Sequence, residues 1–213
     1  KRDFFAIIEY IKQEKIIFFF LSMALTINLV YYPIRNSVIT YLSYNILNLS
    51  EINVSFIQAA TGVGTIFGAL TIIFYKKSNN ILKKFFVLLA AQGVLILALI
   101  IPGVITGFTN IQITIIYFII MMLIGLLNVM QNLPLITYFQ VTTPAKLRGR
   151  LFSIFSTSLL LFTPLGMLIY GVVLNDSNWM IVLIVSSLIM IALCIFGRKH
   201  KIFNKFILSL GEE

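Results

Sequence analysis

The chain alternates between long apolar runs and short segments of polar or charged residues. A run of about 20 apolar residues is long enough for a helix to cross the hydrocarbon of a bilayer, and irregular backbone cannot face lipid. The pattern therefore predicts six transmembrane helices, called spans 1 to 6 below. Their predicted ranges are 16–36 or 16–46, 54–75, 82–101, 112–134, 151–173 and 179–197.

The segment before span 1 has a different pattern. Phe4, Ile7, Ile8 and Ile11 recur at helical spacing, and the charged residues lie elsewhere on the helix. This pattern predicts an amphipathic helix lying on the cytoplasmic membrane interface; the alternative is a linker that contains apolar residues. The chain then divides into an interfacial helix (1–15), a six-span transporter body (16–197) and a cytoplasmic tail (198–213).

Composition supports a membrane protein. Of the 213 residues, 60% are hydrophobic and 11% are charged, whereas about 25% of the residues in a soluble domain are charged. A water-soluble fold of this size has too little interior to hide so much apolar surface. We therefore predict an all-α integral membrane protein and set soluble enzymes and nucleic-acid-binding modules aside.

The positive charges indicate how the helices are oriented. Of the 16 Lys and Arg residues, all but Arg35 lie before span 1, between spans 2 and 3 or in the first residues of span 3, between spans 4 and 5, or after span 6. They are Lys1, Arg2, Lys12, Lys15, Lys76, Lys77, Lys83, Lys84, Lys146, Arg148, Arg150, Arg198, Lys199, Lys201 and Lys205. Alternating helices would bring these segments to one side, and cation-rich loops stay in the cytoplasm. Both termini are therefore predicted to be cytoplasmic, and the charge gives no reason to expect a nucleic-acid partner.

Polar residues concentrate in spans 1 and 4, where they recur at helical spacing. These residues are Asn28, Tyr32, Arg35, Asn128, Gln131 and Asn132. Polar side chains in a membrane face protein or a water-filled cavity, so we predict that the six line a substrate cavity. Two alternatives stay open: Arg35 can instead reach the outer headgroups, and the span 4 cluster can hydrogen-bond between helices. Spans 3 and 6 are almost featureless and are predicted to face lipid.

Spans 2 and 5 are rich in small residues, which allow helices to approach closely. The candidate packing or hinge residues are Gly62, Gly64, Gly68, Pro134, Pro164, Gly166 and Gly171. Pro134 is expected to kink or end span 4. Spans 1 to 3 are thus polar, rich in small residues and apolar, in that order, and spans 4 to 6 repeat the order. This predicts a 3+3 repeat. Because three is odd, the second triplet enters the membrane inverted, as is typical of transporters.

The inventory of reactive residues is short. The single Cys194 is expected to be a packed or lipid-facing thiol, and the single His200 a solvated tail residue. A disulfide framework or a Cys/His metal site is therefore not expected. No acid lies inside a predicted span, and no Walker-type loop is present. We expect neither an enzyme nor a bound cofactor, and any coupling carboxylate would have to come from another segment.

A motif follows span 4. Residues 144–153 read PAKLRGRLFS, and span 5 continues with PLG at 164–166, Gly171 and Asp176. With six spans and both ends inside, the chain resembles the C-terminal half of a bacterial major facilitator superfamily exporter, in the branch of macrolide-efflux and siderophore-export proteins. Asp176 stands one place later than in that family. The gating motif G-x-x-x-D-R-x-G-R often found after the second span of a triplet is also absent here.

The resemblance implies a twelve-helix protein of the bacterial cell membrane, in which an N-terminal six-helix half is the partner of this one. It implies a secondary-active exporter, an antiporter of the multidrug class, that moves amphipathic drugs or metabolites by alternating access. The expected driving force is an ion gradient, with protons as the expected ion. Arg148, Gly149 and Arg150 would form a cytoplasmic gate.

Two other classes remain as alternatives. One is a complete six-span substrate-binding subunit of a vitamin importer, which would need a separate energising partner. The other is a structural or assembly protein, which explains neither the polar stripes nor the repeat. The first residue is Lys1 rather than Met, and we expect the chain to be a fragment of something longer.

Overall fold

The computed structural model describes residues 2–74, 78–105, 107–174 and 178–210. Four residues named above lie outside this range: Lys1, Lys76, Lys77 and Asp176. The side chains of Arg2, Phe4 and Ile8 in the N-terminal helix lie outside it as well.

The described chain is all-α and contains six helices that are long and apolar enough to cross a membrane. Their bounds are Lys15–Ile46 for span 1, Glu51–Phe74 for span 2, Phe85–Val104 for span 3, Asn110–Thr142 for span 4, Ala145–Val173 for span 5 and Trp179–Lys199 for span 6. Three shorter helices occupy Arg2–Gln13, Ser78–Lys83 and Lys201–Ser209. The prediction of a six-span, all-α, multi-pass membrane protein is confirmed.

Several predicted helix ends are wrong. Span 4 continues through Pro134 to Thr142, and span 5 already begins at Ala145. Span 3 does not end at residue 101, since a last helical turn runs from Ile101 to Val104 and includes Pro102 and Gly103. A charged residue shows where a helix leaves the hydrocarbon, and a proline shows where one backbone hydrogen bond is lost. Neither requires the helix to end.

The C-terminal helix, Lys201–Ser209, is part of the bundle rather than a free tail. Its Phe203 and Phe206 are buried, and the Phe203 ring lies 4.6 Å from that of Phe86, between centroids. The prediction that His200 is a solvated tail residue is wrong. His200 stacks on Phe19 with a centroid distance of 4.9 Å, and its Nδ1 accepts a hydrogen bond from the Ile202 N–H at 3.3 Å.

The N-terminal helix, Arg2–Gln13, packs on spans 1 and 5. Ile7 and Ile11 are buried, as the amphipathic pattern requires. Burial raises the pKa of the Tyr10 phenol on the same helix. The position of this helix at a membrane interface stays a prediction.

An aromatic cluster joins several cation-flanked helix ends. The Phe20 ring of span 1 lies 5.1 Å from Phe85 of span 3, 6.0 Å from Phe139 of span 4 and 5.4 Å from Phe206 of the C-terminal helix. The start of span 1, the start of span 3, the end of span 4 and the C-terminal helix are therefore at one end of the bundle. This agrees with the grouping of the cations, whereas the compartment that this end faces stays a prediction.

The packing of the spans has the symmetry of a 3+3 repeat. Span 2 packs on span 4, and its equivalent, span 5, packs on span 1. Span 3 packs on span 4, and its equivalent, span 6, packs on span 1. Spans 3 and 6 also pack on each other. Exchanging the first three spans with the last three leaves this set of neighbours unchanged. Spans 3 and 6 are therefore not wholly lipid-facing: Ser187 of span 6 is buried and donates a hydrogen bond to the Gly93 carbonyl at 2.8 Å.

Glycines allow spans 2 and 4 to touch through their backbones. A Cβ at Gly64 would collide with the Met122 carbonyl, and a Cβ at Gly68 would lie 2.7 Å from the Leu126 carbonyl oxygen. From the other side, a Cβ at Gly125 of span 4 would collide with the backbone of span 2. This is the close approach that small residues permit in membrane helices.

A similar contact joins spans 1 and 5. A Cβ at Gly166 would lie 2.9 Å from both the Leu29 carbonyl oxygen and Cγ of Pro33. In contrast, a Cβ at Gly62 or Gly171 would meet no atom within 4 Å. Of the five predicted packing glycines, Gly62 and Gly171 therefore do not contact another helix within the described part of the chain.

We predict that Gly68→Leu lowers the melting temperature of the purified protein by on the order of 5 °C, because the new side chain must push the span 4 backbone away. Gly62→Leu in the same 213-residue chain is the matched control, since it makes the same change on the same helix where a Cβ meets no atom of this chain within 4 Å. Equal melting temperatures for the two variants would contradict the contact.

Candidate functional site

All six polar residues predicted to form a cavity line a single cavity of about 210 Å³. Asn28, Tyr32 and Arg35 come from span 1, and Asn128, Gln131 and Asn132 from span 4. These are the first helices of the two triplets, so the cavity lies between equivalent elements of the repeat. That a substrate binds there stays a prediction.

The rest of the cavity wall is largely apolar and was missed by the sequence analysis. It is formed by Ala24, Ile27, Tyr31, Phe85, Leu135, Ile136, Phe139, Phe152, Phe155 and Leu159. The sequence did contain a pattern for part of this wall, because Phe152, Phe155 and Leu159 of span 5 share one helical face. The same spacing of apolar residues is also typical of a lipid-facing surface, so it did not single out a cavity.

The asparagine side chains are oriented by their own helices. Nδ2 of Asn28 donates to the Ala24 carbonyl at 2.8 Å, and Nδ2 of Asn132 donates to the Asn128 carbonyl at 2.9 Å. Within the part of the chain that the structure describes, neither amide oxygen accepts a hydrogen bond. Each is therefore available to accept one from a bound molecule.

Gln131 both lines the cavity and forms hydrogen bonds between helices, the two roles that the sequence left open. It lines the cavity and is only 2% exposed. Its Oε1 accepts a hydrogen bond from Nε2 of Gln92 at 3.3 Å, and its Nε2 donates to the Phe85 carbonyl at 3.4 Å. Gln92, on the span predicted to face lipid, is fully buried, and its Oε1 has no partner among the described residues.

Arg35 lies in an irregular part of span 1. The segment Ile34–Val38 has π-helical hydrogen bonding and follows Pro33 directly. A proline removes one backbone hydrogen bond, and π-helical turns are frequent at functional sites. Arg35 is half-buried and lines the cavity, which favours the cavity over the outer headgroups. Pro33 is the feature of the sequence that signals this distortion.

The predicted gate residues are away from the cavity. Arg148, Gly149 and Arg150 are exposed on the first turns of span 5 rather than in a loop. Nη2 of Arg148 donates to the Thr143 carbonyl at 3.4 Å. Pro134 and Pro164 both lie inside continuous helices.

Comparison of the chain with protein-family models, with curated proteins and with solved structures gave no match. The resemblance to major facilitator exporters therefore stays a prediction. Among the described residues, no group of three or more His, Cys, Asp or Glu side chains could hold a metal ion.

We predict that Gln131→Leu lowers the free energy of unfolding by about 1–3 kcal/mol, because it leaves the buried Gln92 amide without a partner. Adding Gln92→Leu should recover part of the loss, since the unpaired amide is then removed as well. A double-mutant cycle of unfolding in detergent measures both effects. Simple additivity of the two single losses would contradict the pairing.

Proposed function

We propose that the protein is a secondary-active transporter that moves amphipathic small molecules by alternating access. The observation that carries this proposal is the placement of six polar side chains, from the equivalent first spans of two triplets, around one cavity. In this proposal the cavity is part of the path of the substrate.

The chemistry of the cavity suits an amphipathic ligand. Pockets for small molecules are mostly apolar and have a few polar groups that fix orientation. Phe152 and Phe155 supply apolar surface, while Asn28 and Asn132 supply hydrogen-bond acceptors. Arg35 is the charged group among the described lining residues, and it favours a substrate with an anionic or hydrogen-bond-accepting group.

The surface of the bundle supports a second bundle as partner. Span 5 is the least buried of the six, and Leu160, Leu168 and Val172 on it are exposed. The resemblance to major facilitator exporters implies an N-terminal six-helix half as partner. We propose that this half covers spans 2 and 5, the two least buried spans. The cavity is also smaller than the roughly 300–1,000 Å³ of typical ligand pockets, as expected if another bundle supplies the opposite wall.

The proposal also includes a source of energy, which the resemblance to major facilitator exporters implies. In this proposal an ion gradient, with protons as the expected ion, drives export. Glu51 stands at the first turn of span 2 and does not line the cavity. The coupling carboxylate would then belong to the partner half, because a proton relay in a membrane usually needs an ionisable group in the bundle.

Transport by proteoliposomes tests the proposal with a matched pair of variants. The full-length protein is reconstituted, and movement of a fluorescent amphipathic dye is followed under an imposed pH gradient. Asn28→Leu is expected to reduce the rate by about fivefold, which corresponds to the loss of about one hydrogen bond to the substrate. Asn36→Leu should leave it unchanged.

Asn36 is a close control because it lies on the same span as Asn28. Nδ2 of Asn36 donates a hydrogen bond to the Tyr32 carbonyl at 3.0 Å, and Nδ2 of Asn28 donates to the Ala24 carbonyl in the same way. In both cases the acceptor is four residues earlier in the chain. Asn36 is not among the lining residues. Equal rates for the two variants would contradict a role of the cavity. The absence of gradient-driven movement for every dye tried would contradict the proposed transport and favour a binding subunit.

A further inference from the structure

A second, open cavity lies at the cation-rich end of the bundle. It has a volume of about 520 Å³ and runs between the start of span 1 and the C-terminal helix. Lys15 of span 1 and Lys201 and Lys205 of the C-terminal helix line it, together with Tyr138 of span 4. We call it the lysine groove. It is separate from the polar cavity, with which it shares none of its lining residues.

The lysine groove is positively charged. Lys201 and Lys205 are four residues apart and so point to the same side of their helix, and all three lysines are exposed. Glu14 is the acid among the described lining residues. Within the described ranges, no carboxylate forms an ion pair with any of the three lysines. Three ammonium groups are therefore available to an anion.

Exposed apolar side chains stand beside these lysines. Phe18, three residues after Lys15, is 54% exposed, and Leu208, three residues after Lys205, is 70% exposed. Lys15 and Lys205 thus each have an exposed apolar neighbour on the same helical face. Since Lys15 is also the first residue of span 1, the groove lies where the hydrocarbon-facing surface begins. This combination of cations and lipid-facing apolar groups is typical of a membrane interface.

The C-terminal helix holds its lysines in a fixed place. The Phe206 ring on its buried side lies 4.9 Å from the Tyr138 ring and 5.4 Å from the Phe20 ring, between centroids. Lys205 is the neighbour of Phe206 in the chain. The ammonium groups of Lys201 and Lys205 are therefore carried by a packed helix rather than by a loose tail, which lowers the entropy lost on binding.

We propose that the lysine groove binds the headgroup of an anionic phospholipid. The phosphate is held by Lys15, Lys201 and Lys205, and the acyl chains run along Phe18 and Leu208. A soluble anion would use the lysines but not the two apolar side chains. A bound lipid would also join the start of span 1 to the C-terminal helix and so stabilise the packing of that helix on the bundle.

Lipid retention in native mass spectrometry tests this proposal. The full-length protein is reconstituted with phosphatidylglycerol and phosphatidylcholine, and the phosphatidylglycerol retained per protein is measured. The triple variant Lys15→Gln, Lys201→Gln, Lys205→Gln is expected to lose retention by at least about fivefold, the effect of about one lysine–lipid attraction. The control Lys12→Gln, Lys84→Gln, Lys146→Gln removes the same charge at the same end but outside the groove, and should retain the lipid.

Melting temperatures give an independent measure and identify the source of the anion. Phosphatidylglycerol is expected to raise the melting temperature of the wild type above its value in pure phosphatidylcholine, but not that of the triple variant. In pure phosphatidylcholine the triple variant should melt like the wild type, because exposed lysines are replaced. Inorganic phosphate should not reproduce the shift.

Three results would overturn the proposal. Equal losses of retention in the two triple variants would mean that the attraction is spread over the whole charged end. A full shift with inorganic phosphate would mean a site for soluble anions. Retention of phosphatidylglycerol no higher than that of phosphatidylcholine in the wild type would mean that the groove does not select the headgroup.

Discussion

The bundle depends on the close approach of helix backbones at a few positions. Lipid is as apolar as the side chains it solvates, so membrane helices associate through packing rather than through the hydrophobic effect. Gly64 and Gly68 bring span 2 against the backbone of span 4, and Gly166 brings span 5 against span 1 beside Pro33. These two contacts fix the first helix of each triplet. With both held, their polar faces meet around one cavity.

The number and order of the spans could be predicted because both follow from local constraints. A transmembrane helix must be apolar over the thickness of the hydrocarbon, and Lys and Arg are concentrated in the connecting segments on the cytoplasmic side of the membrane. Helix ends could not be predicted in the same way. Residues 135–142 are helical although the apolar run and Pro134 had suggested an end. A helix that leaves the membrane keeps its own hydrogen bonds and has no reason to stop.

The polar wall of the cavity was predictable and its apolar wall was not. An asparagine such as Asn28 or Asn132 in a membrane helix avoids lipid. The polar stripes of spans 1 and 4 therefore indicated the helix faces that point towards protein or a cavity. Phe152 packs as well against lipid as against another helix, so its position in the sequence did not indicate which of the two it faces. Gln92 could not be assigned either, because its partner Gln131 is 39 residues away. The C-terminal helix was missed for the same reason, since Phe203 and Phe206 pack on spans 1 and 3.

The polar faces of spans 1 and 4 line one cavity, and in the proposed transporter water reaches it. The rate at which a cysteine in the cavity reacts with a thiol reagent measures that access. In a Cys194→Ser background, Asn132→Cys is compared with Leu188→Cys, which replaces an exposed residue of the apolar span 6. A charged thiol reagent should modify Asn132→Cys at least about tenfold faster, because the thiolate forms in water and not in hydrocarbon. Equally slow modification of the two variants would contradict the cavity and the function argued from it.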